Sequence, residues 1–171
     1  MAWRLHRAGP ADAAALSLVA GATFLEAFAG ILDGADIIAH VTRNSSAAAF
    51  EAYLAGGAIA TLAAAQAGGA PIGYSLLTAP DLPIAPEPGD IELKRIYALF
   101  PTHGTGLGPA LMARAIDDAR SAGHRRLLLG VYGGNRRAQR FYEKQGFAVA
   151  GTRRFLVGAT WHDDLIYARA I

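Results

Sequence analysis

The residues with the clearest chemical potential are Gly104-Thr105-Gly106-Leu107-Gly108, between an apolar stretch and an amphipathic one. Glycines let backbone amides turn toward a ligand, and a helix starting there adds the partial positive charge of its N-terminus. The segment is therefore suited to holding an anion. Pro109 falls in the first helical turn, where a missing N–H costs nothing. Two phosphate-binding patterns fail here. A Walker loop needs Gly-Lys-Ser/Thr, and no lysine follows a glycine in this chain. A dinucleotide fingerprint would run Gly104-x-Gly106-x-x-Gly, but Pro109 holds the last place, and the next strand ends in Tyr132 rather than an acid. A tight strand-to-helix turn with no ligand is the alternative on this motif alone.

Other clusters are weaker. Asp163-Asp164 beside His162 suggests a metal, but a strand sends neighbouring side chains to opposite faces, so a metal site is not expected. Arginines gather at Arg125-Arg126, Arg136-Arg137-Arg140 and Arg153-Arg154, and Lys94 and Lys144 are the only lysines. Without interleaved aromatics, a polyanionic cofactor is a better use for some of these than nucleic acid.

The elements that position these residues read as follows. Trp3–Arg7 alternates as a first strand, and Asp12 marks the cap region of a helix through Leu16, Val19, Phe24 and Phe28. Ala35–Val41 and Ala47–Ala55 are two further short helices. Ala58–Ala67 and Pro71–Leu77 form a hairpin around Gly68-Gly69-Ala70. A Pro-rich loop, Ala79–Gly89, leads to the strand Ile91–Leu99. Leu107, Leu111, Ala115 and Ala119 share one face of a helix ended by Gly123. Arg126–Val131 is a buried strand, Arg136–Gln145 a helix, and Phe147–Val157 and Trp161–Ala170 a terminal strand pair. The fold class is α/β, a mixed sheet with helices on both faces.

The chain has 171 residues, 53% hydrophobic and 18% charged, which suits one domain over 1–171 and excludes wholesale disorder. Cysteine is absent, so disulfides, Cys-zinc sites and thiol nucleophiles are excluded. The sequence pI of about 9.2 accompanies a formal charge of only +2. The longest apolar runs, such as Ala58–Ala65, fall short of the roughly 20 residues of a membrane span. The N-terminus lacks a secretory pattern. A cytoplasmic protein without membrane or nucleic-acid partners is expected, with room for a homodimer.

Asn135-Arg136-Arg137-Ala138-Gln139-Arg140-Phe141-Tyr142-Glu143-Lys144-Gln145-Gly146-Phe147 sets Asn, Ala, Phe-Tyr and Gly-Phe at fixed offsets. With the glycine turn some thirty residues earlier, this resembles the GNAT superfamily of N-acetyltransferases. That family carries Gln/Arg-x-x-Gly-x-Gly/Ala after its fourth strand and Asn-x-x-Ala-x-x-Phe-Tyr-x-x-x-Gly-Phe later. Gly106 and Gly108 match, Asn135 to Phe147 match in full, and His103 stands at the usual Gln/Arg position.

The resemblance implies a mostly antiparallel mixed sheet whose fourth and fifth strands splay. It also implies acetyl-CoA as cofactor, its pantetheine lying along the backbone of Ile96, Tyr97 and Ala98. The pyrophosphate would sit on the amides of His103, Gly104, Thr105, Gly106, Leu107 and Gly108. Asn135 would hydrogen-bond the pantetheine arm, with Ala138 leaving space. His103 removes a side-chain anchor but leaves the backbone cradle.

Tyr142 would act as general acid, a phenol of pKa near 10 protonating a thiolate whose conjugate acid lies at roughly 8–9; its other reading is a core aromatic. Glu92 is the candidate base that frees the amine, or else pairs with Lys94 or Arg95. Asp90 and Glu26 are its runners-up, and neutral His40 is a further alternative with a structural reading. Phe24, Glu26 and Phe28 would line the acceptor pocket. The stretch Ile91–Tyr97 looks somewhat like polyamine acetyltransferases. The implied reaction is direct transfer to a primary amine of a small molecule or peptide. The rival readings are a CoA-binding sensor and a nucleic-acid-binding domain.

Overall fold

A computed structural model describes residues 1–157 and 159–171. Strand β1 (Trp3–Arg7) is followed by a 3-10 turn (Pro10–Asp12) and helices α1 (Ala13–Phe28), α2 (Gly34–Asn44) and α3 (Ala47–Ala55). Strands β2 (Ile59–Ala65), β3 (Pro71–Thr78) and β4 (Asp90–Ala98) come next. A second 3-10 turn (Phe100–Thr102) leads to α4 (Leu107–Ser121), β5 (Arg126–Tyr132), α5 (Arg136–Lys144), β6 (Ala148–Val157) and β7 (Thr160–Ala170). The seven strands form one sheet in the order β1-β2-β3-β4-β5-β7-β6, antiparallel except at β4–β5. This is the mixed sheet expected, with element ends moved by one to three residues.

Helices cover both faces because the central strands β2, β3 and β5 bury both sides. On one face Leu16, Val19 and Ala20 of α1 and Phe50 of α3 pack on Ala60, Leu62, Tyr74 and Leu76. On the other, Met112, Ala115, Ile116 and Ala119 of α4 pack on Leu77, Ile91, Leu93, Leu127 and Leu129. Helix α1 with its preceding turn, Pro10–Phe28, is long and apolar enough to cross a membrane by length and composition, longer than any run counted in the sequence. Here its apolar stripe is core: Leu16, Val19 and Ala20 are at most 1% exposed. Asp12 does not cap α1 through its side chain. Its carboxylate takes the Gly9 N–H at 2.9 Å and lies 3.2 Å from His6 Nε2, closing the 3-10 turn instead.

Two irregularities in β4 shape the molecule. The β3–β4 register slips between Leu76 and Leu77, which face Arg95 and Leu93, so Lys94 is an inserted bulge residue. On its other edge β4 pairs with β5 only at Asp90–Arg126, Ile91–Leu127 and Glu92–Leu128. Beyond Glu92 the two parallel strands separate.

The closed end is fastened by Arg126, whose Nε and Nη2 meet the Asp90 carboxylate at 2.6 and 2.7 Å; Asp90 also accepts the Glu87 N–H at 2.8 Å. The Arg126 hydrogen bonds hold the Asp90 carboxyl below the usual range. The pair therefore stabilises the fold fully above the ordinary carboxylate pKa, and that contribution is lost as pH falls through the depressed value. Asp90→Asn is expected to cost on the order of 2 kcal/mol at neutral pH. Urea denaturation should show the gap to wild type closing as the pH is lowered from about 5 toward 2; a gap independent of pH would mean that the charge of Asp90 is immaterial.

Candidate active site

The opening between β4 and β5 begins beyond Glu92 and runs to the end of β4, which leads into the glycine turn. Leu99 N–H bonds to Ile72 O on β3 at 2.9 Å, and strand backbone alternates. The main-chain groups of Ile96 and Ala98 therefore point to the open side, and those of Tyr97 point to β3. The side chain of His103, one step beyond the 3-10 turn, folds back so that Nε2–H donates to Ala98 O at 2.9 Å. Desolvation first, and the Arg137 charge second, lower the His103 pKa, which keeps the ring neutral with its proton on the nitrogen that faces the carbonyl. Thus the residue at the Gln/Arg position secures the end of β4.

Within the turn, Gly104 and Gly106 sit at φ +82° and +88°, where glycine alone is unstrained. A Cβ built on either meets no protein atom within 4 Å among the described residues, so both α-carbons face open space. The amides of His103 and Thr105 are spent on Phe100 O and Thr102 O. Those of Gly106, Leu107 and Gly108 precede the first bond of α4, Ala110 N–H to Gly106 O at 3.1 Å, and are open to an external acceptor. This arrangement fits a phosphate group. Arg137, exposed on the first turn of α5, lies close enough for its charge to act on His103. The sequence offered it only as one arginine of a cluster.

Helix α5 starts at Asn135, whose Oδ1 caps it by accepting the Ala138 N–H at 3.0 Å. Gln139, 4% exposed, donates to Gly133 O at 2.8 Å and locks the turn after β5. These contacts aim Tyr142 inward, 8% exposed and ringed by Phe141, Phe147 and Tyr167 at centroid distances of 5.5, 6.0 and 6.1 Å. Burial raises its phenol pKa well above the ordinary value, and the Tyr97 hydroxyl raises it further. Tyr97 is itself raised by burial, with a contribution from the charge of Asp164 across the opening. Tyr97 thus lies within electrostatic reach of both Tyr142 and Asp164.

The expected acceptor residues separate into two places. Phe24 and Phe28 stay together at 4.5 Å, with His40 stacked on Phe24 at 4.4 Å and Tyr132 of β5 at 6.3 Å from Phe28. Glu26 leaves this group: its Oε2 accepts the Phe100 N–H at 3.0 Å, at the end of β4. His40 is lowered to about 4 by burial first, then by Arg95 and Arg43, so it is neutral at physiological pH; it also contacts Asn44. Glu92 is 2% exposed and accepts the Asp81 N–H at 2.8 Å, with Lys94 Nζ at 3.9 Å, tying the loop 79–89 to the sheet. Arg95 turns the other way, donating to Asn44 O at 2.8 Å.

A splayed parallel strand pair, an anion-binding turn at one strand's end and a buried tyrosine beside the gap define an acyltransferase of the kind that takes its acyl group from a coenzyme A thioester. The model of the Acetyltransferase (GNAT) family matches residues 32–147, and the chain belongs to that family. It is similar to N-acetyltransferases of Mycobacterium bovis and Mycobacterium tuberculosis, each 38% identical over 160 residues, covering 94% of this chain and 98% of theirs. Among solved structures it is similar to the PaiA N-acetyltransferase of Thermoplasma acidophilum in complex with coenzyme A (TM-score 0.81, 22% identity, all of both chains). It is also similar to an acetyltransferase of Salmonella typhimurium with its cofactor acetyl-CoA (TM-score 0.70, 20% identity, 99% and 94% of the chains).

Proposed function

We propose that this acetyltransferase moves the acetyl group of acetyl-CoA directly to a primary amine of a small molecule or peptide, within the β4–β5 opening. The observation that carries this reading is a coincidence of place. The strands part at Glu92 and Leu128, the open turn at Gly104–Gly108 follows the end of β4, and Tyr142 packs in the core cluster that β4 and β5 share.

In this reading the amides of Gly106, Leu107 and Gly108, with Gly104 turned aside, hold the pyrophosphate, and Arg137 adds charge outside. The open backbone groups of Ile96 and the N–H of Ala98 pair with the pantetheine arm, whose other side meets the Asn135 amide beside the small Ala138. The bound thioester supplies an electrophilic carbonyl and a thiolate leaving group. Tyr142 protonates that thiolate. Burial strengthens the hold of the phenol on its proton, but the same dry surroundings raise the conjugate acid of the thiolate as well, so the mismatch narrows.

The amine must shed a proton before it attacks, because an alkylammonium titrates near 10.4. The acceptor enters from the face opposite α4, past Phe24, Phe28 and Tyr132. Two buried carboxylates lie on that face. Glu92, the base expected from the strand pattern, is one; Asp164 is the other. A cytoplasmic location accompanies this reading.

The test is a panel of primary amines, comprising alkylamines, polyamines and short peptides with free α-amines, assayed for coenzyme A release. Time-dependent release with acetylated product supports the reading. Tight acetyl-CoA binding without release on any amine would favour a sensor.

A further inference from the structure

The proton acceptor for the amine can be argued from β5 and β7, and the argument rests on the acetyl-transfer reading above. Leu127, Leu129 and Val131 of β5 point into the core under α4, so Leu128, Gly130 and Tyr132 form the acceptor face. Gly130 leaves a slot there. The Arg153 guanidinium occupies part of it, so close that a Cβ built on Gly130 would meet Nη2 at 2.5 Å. Arg153 comes from β6 and crosses β7, where it pairs in register with Asp164; its Nε lies 3.3 Å from Asp164 Oδ2. Asp164 is also in register with Tyr132. A charged pair is thereby carried from β6 and β7 toward the end of β5.

Asp164 is 5% exposed, and Arg153 is the one side-chain partner of its carboxylate among the described residues. The groups facing it are Arg153 from β6, Tyr97 from β4, Tyr132 from β5 and His162 from its own strand, and the charge of Asp163 reaches it from the opposite face. His40 of α2 stands further out, behind Phe155. Burial raises the Asp164 pKa against the opposing effect of Arg153, which makes it a stronger base than an ordinary aspartate. Glu92 differs: one of its oxygens is committed to the Asp81 amide. An independent observation marks this face as a place for a polar guest. His162, on the same side of β7 as Asp164 and edge-on to Tyr132 at 5.6 Å, has a buried Nε2 with no hydrogen-bond partner.

We infer that Asp164 accepts the proton of the acceptor ammonium, held in place by Arg153 through the slot at Gly130. The ammonium gives one proton to the Asp164 carboxylate. The neutral nitrogen then bonds to the thioester carbonyl carbon, and the carbon–sulfur bond breaks. The departing thiolate takes the Tyr142 proton, and the second nitrogen proton restores the phenol. Asp164 later releases its proton to water, so the reaction yields amide, thiol and one proton. Glu92 serves the loop 79–89.

The test compares two amines that differ in basicity. One is the best alkylamine of the panel; the other is 2,2,2-trifluoroethylamine, which is neutral near pH 7 and needs no base to free it. Asp164→Asn should lower kcat/KM for the alkylamine roughly 10²-fold or more at pH 7, the loss shrinking as pH rises toward 10. For trifluoroethylamine the loss should be several-fold at most. Unchanged acetyl-CoA affinity by calorimetry shows that the variant is folded, and Asp164→Glu should recover part of the rate. Equal losses on both amines at every pH would make Asp164 structural and overturn the assignment. So would a pH-shrinking loss in Glu92→Gln that Asp164→Asn lacks. A wild type that binds acetyl-CoA yet acetylates no amine of the panel would overturn the primary-amine reading itself, and the assignment with it.

Discussion

A Gly106→Glu protein is expected to fold and to lose acetyl-CoA affinity roughly a hundredfold or more, about 3 kcal/mol. Gly106 sits at φ +88° immediately before α4. Any side chain there costs about 1–2 kcal/mol of backbone strain, which a domain with a stability of about 5–15 kcal/mol can absorb. A Cβ built there meets no protein atom within 4 Å. What the glutamate obstructs is the concave side of the turn, where its carboxylate also opposes a bound phosphate. Gly106→Ala carries the same strain without the charge and should bind more weakly than wild type but better than the glutamate variant. Calorimetric titration of both proteins, with circular dichroism to verify folding, separates strain from occupancy. A folded Gly106→Glu protein with normal affinity would move the cradle elsewhere.

Tyr142→Phe is expected to lower kcat by roughly 10²–10⁴-fold while leaving acetyl-CoA affinity within a few-fold of wild type. The ring is held by Phe141, Phe147 and Tyr167, contacts that phenylalanine keeps, so the fold should survive. Only the hydroxyl is lost, and its proton is needed as the thiolate departs. Because burial pushes the phenol up, wild-type activity should show no alkaline decline from Tyr142 ionisation near its ordinary pKa of about 10. Single-turnover measurement on the best amine isolates the chemical step. An undiminished rate there would leave Tyr142 as core packing alone.

Much of this molecule could be read from neighbouring residues. Strand alternation, the period of Leu107, Leu111, Ala115 and Ala119, and the glycines at the turn are local properties. The elements they specify match the observed ones to within a few residues. The ordered pair of motifs, Gly106-x-Gly108 and Asn135 to Phe147, pointed to the family in the same way. Phe24 and Phe28 were legible as neighbours because they lie four apart on one helix.

What sequence spacing could not convey depends on strands that meet across long separations. The bulge at Lys94 and the parting of β4 from β5 after Glu92 arise from pairing with β3 and β5, which no local pattern encodes. Glu26, adjacent to the pocket aromatics in sequence, points a carboxylate to Phe100 because α1 crosses the end of β4. Glu92 carries the right chemistry on the right strand, yet its partner is a loop amide eleven residues earlier. Asp164 enters the sequence reading only through a metal site, which strand alternation argues against. Only the sheet order brings β7 beside β5, and only the missing side chain of Gly130 lets Arg153 reach across it. Sequence by itself determined the elements and the turn, because helix, strand and glycine preferences are settled by residues a few places apart. The tertiary structure decided which carboxylates are buried and what they pair with, because that depends on which strands pack side by side.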